Sequence, residues 1–327
     1  MNAPRLATVV LVALVTACGS VPAAKPSAVA EVVLASDPPP PQPKALAPLP
    51  NRHAKLTFEL GPLAPLPLVH GTIGGVPTWM IVDSGAGTHF VMGWMADRAN
   101  VQTSPTKTVV TDHVRREMNV ALADRSLIVI EGWGGLTPGE LLVVDAPAGG
   151  LGAKNNIGIM LSPQTLDDDR AVIFELDRGS IRTGTEADAV RALAARKVPV
   201  DPDDIAFCHD VFSVAANIDG HAVRLVVDTG ASSTDLFSLS DAGRALAAHS
   251  ASSRTAGEPA SGPVAMRIAK GARIQLGALS MHKDVDILVG APEIECPVDG
   301  VLGVDVLRSC VLVFGSGKGQ LRMQCGE

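Results

Sequence analysis

The chain is 327 residues long and 46% hydrophobic, with 32 Gly and 24 Pro, and its formal net charge is −7. That length holds about two domains of ordinary size, and this apolar content builds a sizeable core without help from metals. The acidic balance and the absence of a Lys/Arg stripe exclude binding along a phosphate backbone, so no nucleic-acid partner is expected.

In chain order, Arg5 precedes an apolar run from Leu6 to Val15 that is too short to anchor stably across a bilayer, which predicts an export signal over residues 1–17. Val15-Thr16-Ala17-Cys18 follows, and small residues before a Cys resemble the lipobox of bacterial lipoproteins. That resemblance implies cleavage before Cys18, lipidation of it and, with Gly19 rather than Asp next, a place on the outer membrane facing the periplasm. The other reading is an ordinary signal peptide with an incidental Cys. Residues 18–52 are rich in Pro and Ala, include Pro38 to Pro41 and lack periodicity. They predict a semi-extended tether reaching at most roughly 100 Å.

Residues 53–184 are a series of short apolar runs bounded by Gly or Pro, the pattern of many short strands. Phe58 to Gly71 and Thr72 to Val82 predict a hairpin ending at Asp83. Phe90 to Arg98 predicts a brief helix or strand, Thr106 to Leu122 an extended hairpin, Ser126 to Val144 two strands, and Ala171 to Leu176 a closing strand. Residues 185–197 change to a helical pattern, opened by Thr185 with Asp188 three positions on and stopped by Pro199. Residues 198–327 repeat the first order: a hairpin from Val211 to Val227 ending at Asp228, a polar stretch from His249 to Pro263, strands at Val264 to Ile268, Ala272 to Leu276 and Val285 to Val289, then Gly300 to Phe314.

The repeat is explicit. Met80-Ile81-Val82-Asp83-Ser84-Gly85-Ala86 matches Leu225-Val226-Val227-Asp228-Thr229-Gly230-Ala231 at an offset of 145, that is 228 minus 83. The same offset lays Val69, Ile73 and Gly75 on Val214, Ile218 and Gly220, and Ile157-Gly158 on Leu302-Gly303. Roughly ninety residues match without a gap, which predicts two homologous halves.

Each half ends a buried strand on an Asp, adds a small hydroxyl residue and turns on a Gly. One carboxylate is a modest base. Two within hydrogen-bond reach cannot both ionise, so one pKa rises and the pair shares a proton, giving a base for a water and an acid for a carbonyl oxygen.

Here the chain resembles the aspartic protease superfamily, through Ile81-Val82-Asp83-Ser84-Gly85-Ala86 with Ile157-Gly158, and Val226-Val227-Asp228-Thr229-Gly230-Ala231 with Val301-Leu302-Gly303. The tail from Gly300 to Leu307 is similar to the retropepsin-like branch. The resemblance implies an all-β, bilobal fold: two homologous, closed β-barrel-like lobes about a pseudo-two-fold axis, with Asp83 and Asp228 holding the attacking water between them. It further implies that Ser84 and Thr229 bond across the axis, that Gly85 and Gly230 let the loops approach the carboxylates, and that Gly158 and Gly303 are the glycines of the two ψ-loops. A peptide or protein would be the substrate, with no cofactor and no metal, and one chain would form the dyad as a monomer. The alternative is a catalytically inactive member of the same fold that binds peptides or partner proteins in the envelope. The chain departs from the family pattern after Gly158, where no Asp corresponds to Asp305. The flaps are placed only by offset, at Thr106 to Leu122 and Ser252 to Val264.

With Cys18 lipidated, Cys208, Cys296, Cys310 and Cys325 remain, an even number that favours disulfides in an exported protein. Cys310 to Phe314 and Gln320 to Cys325 predict two strands around the turn Gly315 to Gly319, with Cys310 facing Cys325. That pairs Cys310 with Cys325 and leaves Cys208 with Cys296. The eight His show no metal-ligand spacing and predict scattered surface positions. Gly315 to Gly319 lacks the context of a phosphate-binding loop and predicts a hairpin turn, and Asp167-Asp168-Asp169 lacks that of a calcium loop and predicts a solvated loop.

Overall fold

Strand-forming runs dominate the chain, which is mostly β. The computed structural model describes residues 51–58, 65–111, 117–145, 151–250, 252–258, 262–288, 296–316 and 319–326. The export signal, Cys18 and nearly all of the tether lie outside these described residues, as do the tips of both offset-placed flaps. Asn51 to Glu327 form one compact unit. Among the described residues no helix is long and apolar enough to cross a membrane.

A nine-stranded sheet is built from the first half and an eight-stranded sheet from the second. Their central strands follow one order. In the first half Leu68–Ile73 pairs antiparallel with Val76–Val82, which lies parallel to Ile157–Leu161, which pairs antiparallel with Phe90–Met92. In the second half Val211–Ile218, His221–Val227, Gly300–Leu302 and Asp235–Phe237 repeat those pairings. Ile157–Leu161 and Gly300–Leu302 are fully buried, and strands covered on both faces are continuous apolar runs rather than alternating ones.

The sequence placed the first hairpin's turn a few residues early. It falls at Gly74-Gly75, both with positive φ, where a Cβ would be strained. Phe90 to Arg98 is a strand, Phe90–Met92, followed by a helix, Gly93–Arg98. The polar stretch from His249 to Pro263 includes a strand, Ser252–Glu258, paired with Gly262–Leu276. Ladder hydrogen bonds do not require apolar side chains, which is why polarity alone misread it. Gly262–Leu276 runs as one strand with an irregularity between Ala269 and Ala272, and so covers the span that Glu117–Asp124 and Ile128–Ile130 share in the first half.

A six-stranded sheet draws on both halves, in the order His53–Lys55, Ser180–Gly184, Ala171–Glu175, Cys310–Phe314, Leu321–Cys325 and Val198–Pro199. Its two middle strands are buried throughout. Ala171, Ile173, Val311 and Val313 pack against Ala189 and Ala192 of the helix Glu186–Ala194, whereas Val172, Phe174, Leu312 and Phe314 enter the main core. Period-two alternation thus serves two apolar layers. The helix starts as expected: Thr185 and Asp188 form a reciprocal capping box.

Both expected disulfides are present, Cys208–Cys296 and Cys310–Cys325, and the second joins directly opposed residues of adjacent strands.

Candidate active site

Asp83 and Asp228 sit at equivalent points, one residue beyond Val76–Val82 and His221–Val227. Each backbone N–H donates to the end of the neighbouring parallel strand, Asp83 to Leu161 O at 2.8 Å and Asp228 to Leu302 O at 3.1 Å. The acids are therefore fixed by the sheets rather than by flexible loops.

The next residues cross from one half to the other. Ser84 Oγ donates to Val227 O at 2.7 Å and accepts the Thr229 N–H at 3.0 Å. Thr229 Oγ1 donates to Val82 O at 2.7 Å and accepts the Ser84 N–H at 3.0 Å. All four bonds are buried, so each hydroxyl satisfies two main-chain groups that water does not reach.

Glycine is obligatory at the following position. A Cβ on Gly85 would stand 2.5 Å from Asp228 Cγ, and a Cβ on Gly230 2.5 Å from Asp83 Cγ. Each loop thus leans against the other's carboxyl. Gly85 N–H donates to Asp83 Oδ1 at 2.8 Å, and Asp228 Oδ1 accepts from Gly230 N–H at 2.7 Å and Ala231 N–H at 3.2 Å.

The two carboxyl groups are thus brought to the same place by loops that each lean on the opposite acid. Asp83 is 8% exposed, whereas Asp228 is half-buried. Burial first, then the nearby charge of Asp228, push the Asp83 carboxyl well above the ordinary carboxylate value, against the opposing pull of the Gly85 and Ala86 N–H groups.

The ψ-loop assignment of the first half needs correction. Leu302 is opposite Val227, and the residue opposite Val82 is Leu161, not Ile157. The offset here is 302 minus 161, or 141, so the first half carries four more residues between its acid and this strand. Ser162, not Gly158, stands where Gly303 stands. Gly158 has a packing role: its N–H donates to Thr78 Oγ1 at 3.0 Å, and a Cβ there would meet Met95 at 2.4 Å. An ungapped comparison could not show this, because Ile-Gly recurs by chance four residues upstream of the true equivalent.

The corrected register identifies partners that the sequence reading passed over. In the second half Gly303 N–H donates to Thr234 Oγ1, which donates to Asp305 Oδ1 at 2.9 Å. In the first half His89 takes the place of Thr234, and Ser162 N–H donates to its Nδ1 at 3.0 Å. The Nε2 lies 3.2 Å from Thr165 O, so the neutral ring carries its proton there. His89 is fully buried, not a surface residue, and its pKa falls to about 4, chiefly through burial and then through the Arg125 charge. Gln164 occupies the position of Asp305. The Asp167 side chain is likewise covered rather than solvated and pairs with Arg170 at 2.9 Å, while Asp168 and Asp169 are exposed as expected, Asp168 pairing with Arg125 at 2.7 Å.

Residues 214–306 match the family model described as Aspartyl protease. The matched span takes in Asp228, Thr229, Gly230, Gly303 and Asp305; the Asp83 half lies outside it. No curated protein matches the chain.

Proposed function

We propose that this chain is an aspartic endopeptidase of two lobes, in which Asp83 and Asp228 activate one water molecule in the cleft between them. The observation that carries the reading is the reciprocal bonding of Ser84 and Thr229, which joins the two acidic loops so that Gly85 lies against the Asp228 carboxyl and Gly230 against that of Asp83. The family match over residues 214–306 supports it for the half that contains Asp228.

The chemistry follows from the unequal surroundings of the acids. Asp228, hydrogen-bonded by two N–H groups and more open to the cleft, takes a proton from the water as its oxygen attacks the peptide carbonyl carbon. Asp83, which keeps its proton, donates it to the carbonyl oxygen, so no full oxyanion develops. The tetrahedral diol then collapses: the proton held by Asp228 passes to the departing amine nitrogen, the C–N bond breaks, and a hydroxyl proton of the diol returns to Asp83. Both acids end as they began, and no cofactor enters.

Export, lipidation of Cys18 and attachment through residues 18–52 belong to the same proposal and place the enzyme on the periplasmic side of the outer membrane as a monomer. The test is cleavage of a mixed peptide library between pH 3 and 8. Asp228→Asn is expected to reduce it by roughly 10²- to 10⁴-fold, with unfolding nearly unchanged. A statine-type inhibitor should raise the melting temperature of the parent. Equal cleavage by Asp228→Asn, or none by the parent at any pH, would remove the assignment.

A further inference from the structure

The first acidic loop has lost a hydrogen bond that the second retains. In the second half Val304 N–H donates to Ala231 O at 2.9 Å, tying the loop after Asp228 to the segment after Gly303. By the corrected register the residue equivalent to Val304 is Pro163, which has no N–H. Ala86 O, the equivalent of Ala231 O, cannot be held in this way.

The next side chain supplies what is missing. Gln164 Nε2 donates to Ala86 O at 3.0 Å and also to Asp210 O at 2.5 Å. Two carbonyl partners fix the orientation of the amide, because only its NH₂ end can serve both. Its Oε1 is buried and accepts no bond from the described residues. A side chain that carries an unsatisfied buried acceptor is poorly explained by packing alone, and well explained by the two donors on the same amide.

The second partner is itself well anchored. His209 and Asp210 both have positive φ, 50° and 61°, and form the two-residue turn between Ile205–Cys208 and Val211–Ile218. The residue before this turn is bonded to Cys296. The turn lies against the loop after Asp83 so closely that a Cβ on Gly87 would stand 2.8 Å from Asp210 Cβ. Gln164 thus clamps the first acidic loop between its own half and a braced turn of the other.

We infer that Gln164 is a positioning residue for the Asp83 loop: its carboxamide replaces the hydrogen bond that Pro163 cannot give to Ala86 and joins that loop to the Asp210 turn. This deepens the proposed peptidase reading and rests on it for the activity readout only.

The full chain and two variants test it. Gln164→Leu removes both donors; Gln164→Glu offers one donor while its carboxyl is protonated and none when it is ionised. Asp83, Asp228, His89, Arg125, Asp167, Asp168, His209 and Asp210, the ionisable residues on the elements that meet here, are kept in both, so any difference in pH response belongs to the new carboxyl. Gln164→Leu is expected to lower kcat about tenfold at all pH with little change in KM. Gln164→Glu should match that loss near neutrality and recover toward the parent rate in acid. Amide hydrogen exchange across residues 84–88, read by mass spectrometry, should quicken in both variants near neutrality and slow again for Gln164→Glu in acid relative to Gln164→Leu. Parent-like exchange in folded Gln164→Leu would overturn the inference whatever the activity. Should the parent cleave nothing, the peptidase reading fails while the exchange measurement still decides the role of Gln164.

Discussion

Ser84 Oγ and Thr229 Oγ1 each donate, at 2.7 Å, to the carbonyl that precedes the other's acid, Val227 O and Val82 O. Each also accepts the other's N–H, so the two halves are joined through main-chain groups that adjoin the carboxyls themselves. Any shift of one half against the other must break these bonds before it separates the acids.

Thr229→Val keeps the shape of the side chain but strands Val82 O and the Ser84 N–H in a buried site. Each unsatisfied buried group costs about 1–3 kcal/mol, so the variant should lose roughly 2–6 kcal/mol of stability. Thr229→Ser keeps both bonds and should lose under about 1 kcal/mol, the loss being one methyl. Denaturant unfolding of Thr229→Val, Ser84→Ala and the double variant checks the pairing. The losses should fail to add by at least about 0.5 kcal/mol, because the residues share partners. Strict additivity would mean that the crossed bonds do not act as a unit.

Much of this was legible in the sequence, and the reasons are local. Leu225-Val226-Val227-Asp228-Thr229-Gly230 and its earlier copy announce themselves because a strand end, a crossing hydroxyl and a clash-free glycine each restrict residue type. The Cys310–Cys325 pairing was legible because the register of a short hairpin follows from its turn. What escaped depends on insertion and on substitution by unlike chemistry. Four extra residues hid the equivalence of Ser162 and Gly303 behind a fortuitous Ile-Gly. His89 serves where Thr234 serves, and Gln164 replaces a main-chain N–H removed by Pro163; neither exchange leaves a similarity that an offset comparison can detect. The six-stranded sheet escaped because its partners, Ala171–Glu175 and Cys310–Phe314, are about 140 residues apart and carry no mutual signal beyond being apolar.

The raised Asp83 carboxyl carries a stability signature distinct from its role in cleavage. Between the ordinary value of 3.8 and the raised one, the native protein keeps a proton that the unfolded chain has released. The native state binds more protons there, so stability falls as pH climbs through that window and levels off above it. Asp83→Asn removes both the titration and the buried charge. Relative to the parent, it should be more stable at pH 7, with the advantage gone near pH 3, while cleavage drops by roughly 10²- to 10⁴-fold. Unfolding curves at the two pH values check this. A stability difference that does not change with pH would show that native Asp83 does not keep its proton above the ordinary carboxylate range.

His89 imposes the opposite slope. Its folded pKa is lowered from 6.5 to about 4, so it stays neutral in the native ring while the unfolded chain takes up a proton below pH 6.5. The unfolded state binds more protons between those values. The contribution is therefore complete above pH 6.5 and is lost as pH falls toward 4, amounting to roughly 3 kcal/mol across the window. His89→Gln cannot titrate. It should be less stable than the parent at pH 7, because the Ser162 N–H and Thr165 O lose partners of the right geometry. Its deficit should shrink steadily as pH falls from 6.5 to 4. The Asp83 term is common to both proteins and cancels in their difference, so the measurement isolates His89. A deficit constant across this range would show that the imidazole is not the buried neutral acceptor that holds the segment after Leu161 in place.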